Sequence, residues 1–209
     1  MLLDAVTRAI LEHYTAQPPR TEDAWYGPWT TILTSFFPPT HGYLVTPQQR
    51  LLNDDQSHIP DFIIEVVKIS TPPLAFRTVL IVKIKNTQHW PNGIQALKRQ
   101  LGRQTDVALT GTARDKVYWI GAIGPHWQYG ERTDEGGVVQ ELSGWHDTIH
   151  DFTSFKSSFS SLRLSVSLDM FTQAGTSLII FRIAFASMYC MIVSFSSLLC
   201  LLLENRLRD

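Results

Sequence analysis

Residues 76–85 read Phe76-Arg77-Thr78-Val79-Leu80-Ile81-Val82-Lys83-Ile84-Lys85, and the fold turns on how this run is taken. It is β-branched and apolar, and it is bounded by Thr71-Pro72-Pro73 before it and Pro91-Asn92-Gly93 after it. That pattern predicts a strand rather than a helix. Strand alternation places Leu80, Val82 and Ile84 on one face and Val79, Ile81, Lys83 and Lys85 on the other. An apolar strand with two lysines on one face at its C-terminal end is unusual. Burying an ammonium without a partner is costly, so Lys83 and Lys85 require water, carboxylates or phosphates beside them.

Working outward, residues 61–69 form a second β-branched run ahead of the Pro72-Pro73 turn, with Asp61, Ile63 and Glu65 on a shared face. If the two runs pair as a hairpin, those carboxylates lie opposite the lysines. Downstream, Pro91-Asn92-Gly93 opens a helix with Ile94, Leu97, Leu101 and Ala108 on one face, and with Arg99 and Arg103 one turn apart. Lys116 to Ile123 reads as a third, aromatic strand ended by Gly124-Pro125, and Tyr118, Trp119, Trp127 and Tyr129 are expected in the core. Upstream, Leu3, Val6, Ile10, Leu11 and Tyr14 predict an amphipathic helix with Asp4, Arg8 and Glu12 on its other side, stopped by Pro18-Pro19. Residues 17–60 read as loops with a short helix or strand. A final helix is expected from about Leu142 to Phe155. The order helix, strands, helix, strand, helix makes the class α/β.

The charge is unevenly spread. The chain of 209 residues has a formal net charge of -1, yet residues 66–105 hold Lys68, Arg77, Lys83, Lys85, Lys98, Arg99 and Arg103 and no acid. A solvated face is the ordinary fate of such a cluster. A phosphate or nucleic-acid surface is the alternative, because several members lie on or beside the face carrying Asp61, and Trp90 is available for stacking. Cys190 and Cys200 are the two cysteines. Residues 1–189 therefore exclude a disulfide framework, a zinc ribbon and a catalytic thiol, and the chain fits a reducing, intracellular compartment. Met1-Leu2-Leu3-Asp4 lacks the basic start of a signal peptide.

The C-terminal part is different in kind. Residues 157–209 are rich in Ser and Leu, and Ile183 to Leu203 is a run of 21 residues without a charge. A helix of roughly 20 apolar residues spans a bilayer core. The run reads as a membrane anchor, as a buried helix of a soluble domain, or as an aberrant terminus. Basic residues on both sides leave the orientation open.

Ile59-Pro60-Asp61, a strand ending Val82-Lys83-Ile84-Lys85-Asn86, and a helix bearing Gln100 together resemble the PD-(D/E)xK nuclease-like superfamily, the restriction-endonuclease-like fold. The stretches from Lys85 to Gly93 and from Trp119 to Trp127 are similar to uncharacterised fungal proteins assigned to that group. The resemblance spans residues 1–156. It implies Mg²⁺ held by oxygen ligands, polarising a phosphodiester and activating water, with a lysine two residues beyond the second acid stabilising charge on the phosphate. Carried over, Asp61 would be a metal ligand, Lys85 the catalytic lysine, Gln100 a supporting polar residue and Glu12 an auxiliary acid.

The sequence departs from that pattern where the family has its second acid, because Lys83 stands there. An ammonium repels Mg²⁺. Glu65, on the face of Asp61, is the candidate replacement as a metal ligand and catalytic acid. Two functions follow from different outcomes: a degenerate nuclease-like domain binding nucleic acid or phosphate through Lys83, Lys85, Arg99, Arg103 and Gln100, or an active Mg²⁺-dependent nuclease using Asp61, Glu65 and Lys85. A membrane-tethered, non-catalytic scaffold is a third. His146 and His150, one turn apart on the expected final helix, have zinc-ligand spacing, but Asp147 stands where a zincin has Glu, so a surface role is expected for them.

Overall fold

The computed structural model describes residues 4–48, 59–68, 75–111, 115–133 and 139–148, together with 157, 160–162 and 164. They belong to a unit spanning Met1–Val166. A second unit, Ser167–Asp209, and with it the run 183–203, lies outside the described residues. Among the described residues no helix is long and apolar enough to cross a membrane.

Three helices, α1 (Ala5–Ala16), α2 (Tyr26–Phe36) and α3 (Ile94–Gly111), accompany strands β1 (Tyr43–Pro47), β2 (Phe62–Lys68), β3 (Ala75–Lys85), β4 (Lys116–Ile123), β5 (His126–Thr133), β6 (Val139–Glu141) and β7 (His146–Asp147). The fold is mixed α/β. Its sheet runs β1-β2-β3-β4-β5-β6, with β7 also on β5. β3 and β4 are parallel, and every other pair is antiparallel. A parallel pair cannot be closed by a tight turn, and α3 is the crossover that this one requires.

The expected hairpin of 61–69 with 76–85 is present as β2 and β3, with Phe62 opposite Val82 and Ile63 opposite Ile81. The register shifts between Ile64 and Glu65. The expected apolar face of α3 is also present. Leu97, Leu101, Ala108 and Leu109 pack on Ile63, Ile81, Val117, Trp119 and Ile123. Ile81 of β3 therefore faces α3, and beyond the register shift at Ile64 and Glu65 the alternation of β3 reverses. That helix lies close on β4 at Gly121, where an added Cβ would come 2.8 Å from a methyl of Leu101. On the opposite face Phe62, Leu80, Val82, Ile84, Ile120 and Ala122 are buried, and the Tyr26 ring meets Phe62 edge-on.

Four elements differ from expectation. In α1, Asp4 accepts from the backbone N–H and the hydroxyl of Thr7, which caps the helix. The buried stripe is Thr7 and Leu11, while Val6 is 69% exposed rather than on the core face. Within 17–60, α2 is a full helix of 11 residues. Pro28 falls in its first turn, where no N–H is needed, and Trp29, Ile32 and Leu33 are buried at helical spacing. β4 ends at Gly124-Pro125 as expected, but the chain turns there and returns as a further strand, β5, where no strand was expected. Gly124 has φ +58°, the left-handed conformation that two-residue hairpin turns reserve for glycine.

The expected helix from Leu142 is not formed over the described residues 142–148; residues 149–155 lie outside them. The Leu142 N–H bonds to Tyr129 O, and the Thr148 N–H bonds to Pro125 O. The chain here is thus tied by its N–H groups to carbonyls on and just before β5. His146 stacks on Trp127 in β7 and is not on a helix; His150 lies outside the described residues.

Candidate functional site

The C-terminal end of β3 carries the chemistry. The paired register of β2 and β3 ends with Phe62 opposite Val82, two residues short of Ile84. The Asp61 side chain takes over. Its Oδ2 accepts from the Ile84 N–H at 2.5 Å. Its Oδ1 accepts from the Tyr26 hydroxyl at 2.6 Å and from Lys83 Nζ at 2.8 Å. A carboxylate offers about four acceptor positions, and three of these are filled by the protein itself. Asp61 is 3% exposed and Lys83 9%, so this is a buried ion pair with a hydrogen-bonded surround.

The connection between α1 and α2 passes this end of β3. Asn86 Nδ2 donates to Pro19 O at 2.9 Å, which fixes the connection. Glu22, three residues on, places one carboxylate oxygen 3.7 Å from Lys83 Nζ and the other 3.4 Å from Lys85 Nζ. Burial and the Asp61 carboxylate push the Tyr26 phenol well above its usual range. It therefore stays protonated as a donor and is no nucleophile at neutral pH. Gln48, with φ 48°, touches the same hydroxyl and donates its backbone N–H to Asp61 O at 2.9 Å. A left-handed non-glycine residue is a mildly strained position of the kind that collects at sites.

Of the residues expected in the site, the structure brings together Asp61, Lys83 and Lys85. Glu65 stands apart: four residues along one strand separate it from Asp61 by about 13 Å. It is buried opposite Leu44 and Thr78, and burial raises its carboxyl above the usual range. Arg99 and Arg103 are exposed on α3, and neither makes an ion pair among the described residues. Gln100 is half-buried, and its Oε1 has no hydrogen-bond partner. Glu12 bonds to Arg8 at 2.9 Å on the exposed side of α1 and is not among the groups that bond to the Asp61 carboxylate. Glu22, Tyr26 and Gln48 were not anticipated. The spacing of Trp25, Trp29, Ile32 and Leu33 would have revealed α2, and with it Tyr26; nothing local marks Glu22 or Gln48.

These residues do not fit a Mg²⁺ ion. The expected first ligand already accepts from an N–H, a hydroxyl and an ammonium, and Lys83 holds the positive charge that the metal would bring. Among the described residues no group of three or more His, Cys, Asp or Glu is arranged to hold a metal. What the arrangement offers instead is an ammonium, Lys85, that reaches water and, among the described residues, is held only by the longer contact to Glu22. No protein-family model, no curated protein and no solved structure matches this chain.

Proposed function

We propose that the chain carries a non-catalytic domain of the restriction-endonuclease-like kind, which binds nucleic acid through its phosphates. The order α2, β1, β2, β3, α3, β4 supports the helix–strands–helix–strand core of that reading. The observation that carries the non-catalytic part is the Lys83–Asp61 pair at 2.8 Å. A tethered ammonium stands where the nuclease chemistry needs an acid, and it occupies the carboxylate that would hold the metal. Lys85 is the central phosphate anchor, and Arg99 and Arg103 add contacts along the backbone of the ligand. Contacts of this type release counterions and carry little sequence preference.

Fluorescence anisotropy of the full chain with a labelled single-stranded oligonucleotide at low salt tests the proposal. Binding is expected, and it should weaken as salt rises. Arg103→Ala should reduce the slope of log affinity against log salt by about 1, and Lys85→Ala should weaken binding at every salt concentration. No cleavage is expected with Mg²⁺ present. Absence of binding at low salt, or EDTA-sensitive cleavage that Asp61→Ala abolishes, would overturn the reading.

A further inference from the structure

Glu22 straddles two ammonium groups with one oxygen to each, as the two non-bridging oxygens of a phosphodiester would. We infer that Glu22 sits in the seat of a ligand phosphate and rotates out when a phosphodiester binds, so that the chain carries its own competitor for the anion. The inference rests on the reading of Lys85 as a phosphate anchor and adds what limits access to it.

Geometry comes first. The contacts of Glu22 at 3.4 and 3.7 Å are both longer than the about 2.7–2.9 Å of a charge-assisted hydrogen bond. Lys83 meets that range with Asp61, at 2.8 Å. Lys83 is thus committed to Asp61, while Glu22 is loosely held. Cations spaced for one carboxylate are also spaced for one phosphate, since the same donor fork accepts either anion.

Charge points the same way. Lys83, Lys85, Asp61 and Glu22 together are neutral, so an arriving phosphate finds no net attraction while Glu22 remains. With Glu22 withdrawn, the cluster carries one positive charge. Exposure decides which acid can leave. The Glu22 side chain is 29% exposed and that of Asp61 4%. The backbone on either side of Glu22 is fixed, at Pro19 by Asn86 and at the fully buried Trp25. The movement required is a side-chain rotation, with no opening of the connection.

The test uses the full chain and a fluorescein-labelled single-stranded oligodeoxynucleotide at low salt. Glu22→Gln should bind about fivefold tighter than the natural chain, the effect of no longer having to break an ion contact of about 4 Å in water-like surroundings. Glu22→Asp, which draws the carboxylate back by one methylene, should give a smaller gain. Glu12→Gln makes the same change of net charge on α1 and should leave affinity unchanged. Glu22→Gln combined with Lys85→Gln should lose the gain. Thermal unfolding of each variant checks that the fold is retained. If the natural chain binds and Glu22→Gln only matches it, or if Glu12→Gln shows the same gain, or if the gain survives Lys85→Gln, the competitor is overturned while phosphate binding stands. If neither the natural chain nor Glu22→Gln binds, the phosphate reading falls with it.

Discussion

Asp61 does two jobs with one carboxylate: it ends a strand and it neutralises a buried lysine. Removing it leaves the Lys83 ammonium buried, with only the looser Glu22 as a counter-charge. Asp61→Ala should therefore cost about 3 kcal/mol in urea unfolding, the size seen when one member of a buried pair is deleted. Lys83→Met should cost less, because Asp61 keeps its donors from Tyr26 and Ile84 and the methionine refills the space. Glu65 gives a prediction of the other kind. Burial holds its folded-state carboxyl above the ordinary 4.5, so folding favours its protonated form. Stability on its account is greatest below that ordinary value and falls as pH rises through the raised one. Glu65→Gln should be more stable than the natural chain at neutral pH, with the difference vanishing under acid; thermal unfolding across pH measures it.

At the scale of elements, two glycines set how closely the sheet is approached. A Cβ at Gly121 would meet only the methyl ends of Leu101 and Leu97, at 2.8 and 3.0 Å, and these can shift a little. A Cβ at Gly130 would stand 2.1 Å from the Gln140 backbone oxygen and 2.3 Å from the Trp119 ring, neither of which can give way without parting β6 from β5. Gly130→Ala should therefore cost about 3 kcal/mol and Gly121→Ala about 1 kcal/mol, read from unfolding curves of the two variants. The elements legible in the sequence were those whose signal is local and periodic. β2, β3, β4 and the apolar face of α3 all alternate or repeat within their own length. The others depend on distant partners. β5 holds Gln128 and Arg132, polar residues that interrupt any apolar alternation. Gln128 donates to Glu141 and to Ser143 O, and Arg132 donates to Asp106 and Gly102 O. The site divides in the same way. The opposition of Asp61 to Lys83 follows from hairpin alternation. Glu22 reaches the lysines only because the connection between α1 and α2 crosses the strand end, and no spacing in the chain encodes that crossing.

Across the whole molecule, the basic centre of the sequence proves less free than its composition suggests. Lys83 and Lys85 face Glu22, Lys83 is also held by Asp61, and Lys98 is held by Glu141. Arg99 and Arg103 remain exposed without an ion pair among the described residues. Glu22 and Asp61 before the basic segment and Glu141 after it supply these partners, so Lys83, Lys85 and Lys98 are neutralised in place by acids from either side in the sequence. The central position of β3 has a further consequence, for amide hydrogen exchange. Between β2 and β4, with Val79 to Ile84 covered on both faces except at Lys83's head group, its amides should be among the slowest to exchange, opening only with the whole domain. The Ile84 amide is the exception in kind, because its proton is held by a side chain and not by the ladder. In Asp61→Ala that one amide should lose protection out of proportion to its neighbours at Leu80 and Val82, so a single exchange rate reports whether the strand-end carboxylate is still in its place.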